Sequence, residues 1–489
     1  QMKFFDREYE LKEAKELEKP RSRLLVLYGR RRIGKTALIK ELFKNSNAKT
    51  LYLFIPKNTK INIAMEGFEE EVRRALNLKE YEKIDNFAEL LNILFDKSKQ
   101  EKIIVAFDEF QNFIYFYPGA VDILQREWDL RQDSSNLSII ISGSTIGLIK
   151  KMFVEHGAPL FKRAYNMVEL KELDLGKSFE LMSSLGIKEF EDRLRAYFMF
   201  GGVIFYYSLI DYYGLHTFND IIERLLISPV APLKDIVKMD LIEAFGNGSP
   251  TYFAILEAIA NGKNTNNEVA AYAQIKETSL PAYLYDLQEM LGIIETVTIP
   301  TVVPKKGSKK NWLAITDNFY KFWFNIIGAN YDLYEANDMD RLRQKIYARL
   351  PLFEGKAFEE FAQKFIKYIE KSLFPVERIG RWFGKDPSKQ KGMNEEEIDV
   401  VALNEKSKDI LFAECKWSNE KVGVELYEEL KRKSKLVQWH NNERHEHYAL
   451  FSKSGFTEEM KRIAEKERVL LFDLEAIEKA LNRQHEQGE

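Results

Sequence analysis

The stretch "RLLVLYGRRRIGKTALIKELFK", Arg23 to Lys44, decides the fold. Leu24 to Tyr28 is a short apolar run, as expected of a buried strand. Gly29-x-x-x-x-Gly34-Lys35-Thr36 follows, and Leu38, Leu42 and Phe43 then recur at helical spacing. Strand, glycine loop and helix in that order predict a phosphate-binding P-loop. The glycines let backbone N–H groups wrap a phosphate, and the helix N-terminus adds a positive field. The expected ATP contacts are Gly29, Arg30, Arg31, Arg32, Ile33, Gly34, Lys35, Thr36 and Ala37. Lys35 is expected on the β- and γ-phosphates and Thr36 on Mg²⁺.

A P-loop needs a carboxylate on a second strand. "IIVAFDEF" supplies it: Ile103 to Phe107 are apolar, and Asp108 and Glu109 follow. Asp108 is expected to hold Mg²⁺, and Glu109 to polarise the attacking water. A third strand, "LSIIISGST", ends in Ser142, Gly143 and Ser144. In a parallel sheet that end lies beside Asp108, where ligands bind, and Ser142 is expected to sense the γ-phosphate. Small residues at a strand end also simply form turns.

Composition sets the outer bounds. The 489 residues suggest about three domains. With 45% hydrophobic and 30% charged residues the chain reads as an ordinary soluble protein. A net charge of −3 excludes a chain coated in basic residues, so any nucleic-acid surface must be local. Cys415 is the single cysteine, so no disulfide forms within the chain, which fits a reducing cytoplasm. The start, "QMKFFDREYE", is charged and does not read as a signal peptide. No run of 18 apolar residues is present, so no membrane span is expected. The six histidines are scattered, His445 and His447 being closest, and a zinc site is not expected.

With these motifs the chain resembles the archaeal-type ATPases of the AAA+/STAND group. The resemblance rests on "FFDREYEL", "YGRRRIGKT", "DEFQ", "SGST" and "APLFKRAYNMVELKEL". It implies that Arg163, after the sensor strand, sits near the γ-phosphate, in its own site or a neighbour's. A surface arginine would look the same. The arginine run Arg30 to Arg32 is typical of the family, on the loop rim, where it meets phosphate or a partner. The family's Gly-Gly-Val-Pro reads Gly201-Gly202-Val203-Ile204 here, without the proline.

Residues Thr251 to Pro300 carry apolar positions at helical spacing in three segments, followed by two extended runs around "PKKGSKKN". Three short helices and a basic hairpin describe a winged helix-turn-helix. Its third helix, "TSLPAYLYDLQEML", carries no arginine or lysine, which base and phosphate contacts would want. Lys305, Lys306, Lys309 and Lys310 of the wing are the candidates to grip a DNA backbone without reading sequence. A solvated turn would look the same. "NWLAITDNFYKFWFNII" is expected to pack its aromatic rings in the core.

The last third reads helix, strand, hairpin, helix, strand. Phe353, Phe358, Phe361, Phe365 and Ile366 make one apolar helix face, with Glu359 beside Phe358. "EIDVVALNEKSKDILFAECKW", Glu397 to Trp417, is a hairpin with charges among apolar residues. Glu414 and Lys416 are two apart on a strand and share a face, opposite Cys415. The order and charges resemble the PD-(D/E)xK nuclease superfamily, with Ile398 where its proline usually stands. The resemblance implies that Glu359, Asp399, Glu414 and Lys416 converge. Asp399 and Glu414 would bind Mg²⁺ or Mn²⁺, and Lys416 would stabilise a hydroxide or the developing phosphorane charge. Archaeal-type ATPases of this kind often carry such a domain.

The expected architecture is therefore multidomain α/β. It has a P-loop parallel-sheet ATPase core over 1–175, a helical lid over 176–240 and a winged helix over 245–330. A linker over 331–350 leads to a restriction-endonuclease-like α/β domain over 351–489. The expected function is Mg²⁺-dependent ATP hydrolysis coupled to a metal-dependent nuclease-like domain on DNA, in the cytoplasm, with a protein partner or homo-oligomer allowed. The alternative is an ATP-dependent signalling switch or scaffold whose nuclease-like domain is inactive and only binds.

Overall fold

A computed structural model describes residues 4–79, 82–155, 157–302 and 311–486. The wing lysines Lys305, Lys306, Lys309 and Lys310 lie outside the described residues. The chain divides into two compact units. The first holds Gln1–Glu172, Val203–Ser208 and Tyr285–Gly292. The second holds Leu173–Gly202, Leu209–Leu284 and Ile293–Glu489.

The first unit is built on five parallel strands: β1 (Arg23–Tyr28), β2 (Lys49–Phe54), β3 (Ile103–Asp108), β4 (Leu137–Gly143) and β5 (Asn166–Glu169). Their spatial order is β2-β3-β4-β1-β5. The inner strands β1, β3 and β4 are buried almost throughout, which is why they are continuously apolar. Alternate residues serve opposite faces: Leu24, Val26 and Tyr28 enter one core cluster, and Leu25 and Leu27 the other. β1 lies between β4 and β5, so the loop after β1 opens beside the ends of β3 and β4, where parallel α/β sheets bind ligands.

In the second unit, helices over Leu175–Ser184, Phe190–Phe200, Phe218–Leu225 and Ile236–Phe245 come first. Helices Ser249–Ala260, Asn266–Tyr272 and Leu280–Tyr285 follow, then β6 (Ile294–Thr298) paired antiparallel with β7 (Asn311–Ile315). Phe319, Phe322, Trp323 and Phe324 are buried, as the aromatic run predicts. The last sheet contains β8 (Arg378–Lys385), β9 (Glu395–Asn404), β10 (Asp409–Lys416), β11 (His445–Ser452) and β12 (Leu470–Phe472). Its order is β12-β11-β10-β9-β8; β8, β9 and β10 are antiparallel neighbours, and β10, β11 and β12 run parallel.

Two features differ from the sequence expectation. Met339–Tyr368 is one helix, running straight through the 350/351 boundary with Pro351 inside it. A proline there costs about 3 kcal/mol. The helix continues because Leu342, Ile346, Leu350, Phe358, Phe361 and Phe365 are buried on both sides of it. Beyond β11, helices Glu458–Glu467 and Leu474–Glu486 and strand β12 add elements that the expected helix and strand order did not include, within the expected 351–489. Among the described residues, no helix is long and apolar enough to cross a membrane.

Candidate functional sites

The loop after β1 takes backbone shapes that its glycines permit. Gly29 has φ +150°, and a Cβ on it would lie 2.2 Å from the Leu170 carbonyl oxygen. Gly34 has φ +98° and starts helix Lys35–Lys44. The Lys35 ammonium donates to the carbonyls of Gly29 (2.9 Å) and Arg30 (2.7 Å). Burial pulls its pKa down to about 8, against the opposing pull of Glu109 and Asp108. Arg7, from "FFDREYEL", is buried and donates to the carbonyls of Ile33 (3.3 Å) and Lys171 (2.5 Å), tying the N-terminal segment to the loop. Ile204, where the family proline is missing, faces Gly34, and the Phe205 N–H donates to the Arg32 carbonyl at 3.3 Å.

At the end of β3 the Asp108 carboxylate, 3% exposed, takes three donors. Its Oδ2 accepts from Thr36 Oγ1 (2.9 Å) and from the Tyr52 hydroxyl (2.5 Å), and its Oδ1 from the Glu109 N–H (3.0 Å). Burial and the Asp108 carboxylate hold the Tyr52 pKa above its ordinary value, so that hydroxyl keeps its proton. Glu109 sits at φ 56°. A non-glycine in that left-handed region stores roughly 1–3 kcal/mol, a cost typical of functional sites. Its Oε2 accepts from Ser144 Oγ (2.7 Å) and from the Gln111 amide. Thr36 and Asp108 thus present two oxygens 2.9 Å apart, a hard donor set that fits Mg²⁺.

The second candidate site lies where β9 and β10 part. The last registered pair of these strands is Val400 with Ala413, so Asp399 and Glu414 come next. They are 6% and 4% exposed. Asp399 Oδ2 accepts the backbone N–H of Cys415 at 2.9 Å, while the thiol of Cys415 is free and buried. Glu414 Oε1 accepts from Lys433 Nζ at 2.9 Å. Burial, then the neighbouring Asp399, push the Glu414 pKa up to about 8, and Lys433 opposes them. Burial draws the Lys433 pKa down, but Glu414 outweighs it and holds the ammonium above its usual range. Gln363 donates to the Asp399 carbonyl at 3.3 Å from the long helix. Trp417, just past β10, donates to the buried Glu354 (2.9 Å), which also accepts from Arg195 (2.7 Å).

The chain has relatives among known proteins. A model described as "ATPase domain predominantly from Archaea" matches residues 4–203. One described as "Archaea bacterial proteins of unknown function" matches residues 323–433. An uncharacterized protein of Methanocaldococcus jannaschii is 30% identical over 481 residues, covering 96% of this chain and 99% of that one. The chain belongs to the archaeal ATPase family. Among solved structures, a Walker-type ATPase of Pyrococcus abyssi shares the fold, with a TM-score of 0.50 and 21% identity over 66% of this chain and 96% of that one. The protein is an archaeal ATPase, multidomain and α/β.

In this archaeal ATPase the structure brings Lys35, Thr36, Asp108 and Glu109 together as expected. Ser142 is another matter. It is fully buried with its Oγ unpartnered among the described residues, and Ser144 is the serine that reaches Glu109. Arg163 pairs with Asp129 through both carboxylate oxygens, at 2.9 and 2.8 Å, and also holds the Pro159 carbonyl. In the C-terminal domain Asp399 and Glu414 meet, but Glu359 pairs with Arg381 of β8. Lys416 is exposed, and its side chain makes no hydrogen bond or ion pair among the described residues. The expected convergence of Lys416 on the carboxylates is corrected: the cation there is Lys433. Lys416 shares the parity of Glu414 but is the exposed last residue of β10, whereas Lys433 reaches Glu414 from helix Val424–Ser434. Among the described residues no group of three or more His, Cys, Asp or Glu is placed to hold a metal. Mg²⁺ is commonly held by one or two carboxylates plus water and substrate phosphate, so the pair fits that ion without a full protein cage.

Sequence reasoning missed Tyr52, Gln111, Arg7 and Lys433 as site residues. Tyr52 left a faint signal: it is the polar-tipped residue between Leu51 and Leu53, on the opposite strand face. Lys433 left none, because "KRKSK" looks like a solvated helix face.

Proposed function

We propose that this ATPase drives a C-terminal domain that cleaves DNA with a divalent metal. The observation that carries this reading is the buried Asp399–Glu414 pair, joined by the Lys433 ammonium where two strands part. Two carboxylates would hold Mg²⁺ or Mn²⁺, and the bound ion supplies a polarised phosphodiester and a more acidic water. Asp399 is kept in place by the Cys415 N–H, and Lys433 offers a positive charge to a phosphate at the same spot. At the ATPase site Lys35 is read as the phosphate cation, Thr36 and Asp108 as the Mg²⁺ residues, and Glu109 as the base that orients water. The three helices before β6 and the β6–β7 hairpin are read as a winged helix used as a spacer. The work is read as cytoplasmic, where ATP is plentiful and the lone thiol stays reduced.

Incubating the protein with supercoiled, single-stranded and branched DNA, with ATP and Mg²⁺ or Mn²⁺, tests the reading. Nicking is expected from the native protein and at least 100-fold less from Asp399→Ala. Absence of nicking on every substrate, or equal nicking by the variant, overturns it.

A second reading has its own observation. Lys433 already occupies Glu414 in place of a metal, its ammonium donating to Oε1 at 2.9 Å, as an inactive site used for binding would have it. That switch or scaffold would bind DNA or a protein according to nucleotide state and leave DNA uncut.

A further inference from the structure

We propose that Tyr52 is a positioning residue of the ATPase: its hydroxyl fixes the Asp108 carboxylate for Mg²⁺. The inference rests on the reading of Asp108 as a magnesium residue. β2 is an edge strand, and its alternate residues face opposite ways. Leu51 and Leu53 enter one core, while Tyr52 packs against the other, which holds Leu38, Ile39 and Ala106. In register, Tyr52 pairs with Ala106, whose small side chain leaves room for the ring. Asp108 is two residues farther along β3 on the same face, within reach of the phenol tip. The ring is therefore anchored by packing and only the hydroxyl meets the carboxylate.

The arrangement of donors explains why this hydroxyl matters. Asp108 Oδ2 is shared by Thr36 and Tyr52. Thr36 lies in the P-loop, and its oxygen is the one offered to Mg²⁺. When the Thr36 hydroxyl turns to that task, Tyr52 remains the side-chain donor that keeps Oδ2 in place. The Glu109 N–H holds the other oxygen, Oδ1, and leaves Oδ2 to the two hydroxyls. Partners of metal ligands set their orientation, and their loss commonly weakens metal binding 10–100-fold.

The test uses the full chain and Tyr52→Phe, which keeps the ring and its packing. Mn²⁺ affinity of the ATP complex is read by electron paramagnetic resonance, and affinity for a fluorescent ATP analogue is read in EDTA. The expected result is a Mn²⁺ affinity lowered about 10-fold or more. The metal-free nucleotide affinity should fall at least five times less, and half-saturating Mg²⁺ for turnover should rise in step with the Mn²⁺ result. Mn²⁺ affinity within twofold of native overturns the inference. Asp108→Asn separates the two claims. If it too leaves Mn²⁺ affinity unchanged, the magnesium reading of Asp108 fails; if it lowers affinity while Tyr52→Phe does not, only the role of Tyr52 fails.

Discussion

Lys35 carries one charge whose value depends on where it is buried. Burial brings its pKa down to about 8, so the ammonium is present below that pH and is lost above it. Nucleotide phosphate favours the charged form. Metal-free ATP affinity, measured by equilibrium titration, should therefore fall as pH rises from 7 to 9, with proton uptake on binding at the upper end. Lys35→Ala should lower ATP turnover at least 100-fold; unchanged turnover would remove Lys35 from the mechanism. Glu414 shifts the other way. Burial and Asp399 raise its folded pKa to about 8, above the ordinary 4.5. Between those values the folded chain holds a proton that the unfolded chain has released, so stability falls as pH rises through the window. Glu414→Gln should flatten that slope in chemical denaturation of the metal-free protein. An unchanged slope would show that the carboxyl is not strained by its neighbours. Asp399 and Glu414 were legible as charges in an apolar hairpin, and as a pair only through the resemblance to the nuclease superfamily. Lys433 was not, because nothing in the spacing of a lysine run says which ammonium folds inward.

Elements carry the next level of the argument. The strands around the P-loop were legible because they are buried on both faces, and burial writes a continuous apolar run. The tail of the C-terminal domain was not. Its helices, Glu458–Glu467 and Leu474–Glu486, bury one stripe under many charges, and β12 is only three residues long. The helix that crosses Pro351 was hidden for another reason: a proline reads as a stop, and only packing on both sides overrides it. Among pairs of elements, helix Phe190–Phe200 and the long helix meet through Arg195 and the buried Glu354, which also holds Trp417. Among the described residues, Arg195→Ala leaves that carboxylate with the indole N–H as its side-chain donor. A loss of about 3 kcal/mol in unfolding free energy is expected, as for other broken buried pairs. A loss below 0.5 kcal/mol would mean that Arg195 is an ordinary surface cation.

At the scale of the whole molecule, two polar centres sit in two units. One joins Lys35, Thr36, Asp108 and Glu109 in the first unit; the other joins Asp399, Glu414 and Lys433 in the second. The family accounts for the first. The second rests on two buried carboxyl groups and the ammonium that donates to one of them. The most direct test is a crystal of the full chain soaked in Mn²⁺, with anomalous data collected at the manganese edge. The expected result is one peak about 2.1 Å from oxygens of both Asp399 and Glu414, with the Lys433 ammonium turned away from Glu414. Lys433 still bonded to Glu414, with no peak between the carboxylates at millimolar Mn²⁺, would contradict the nuclease account.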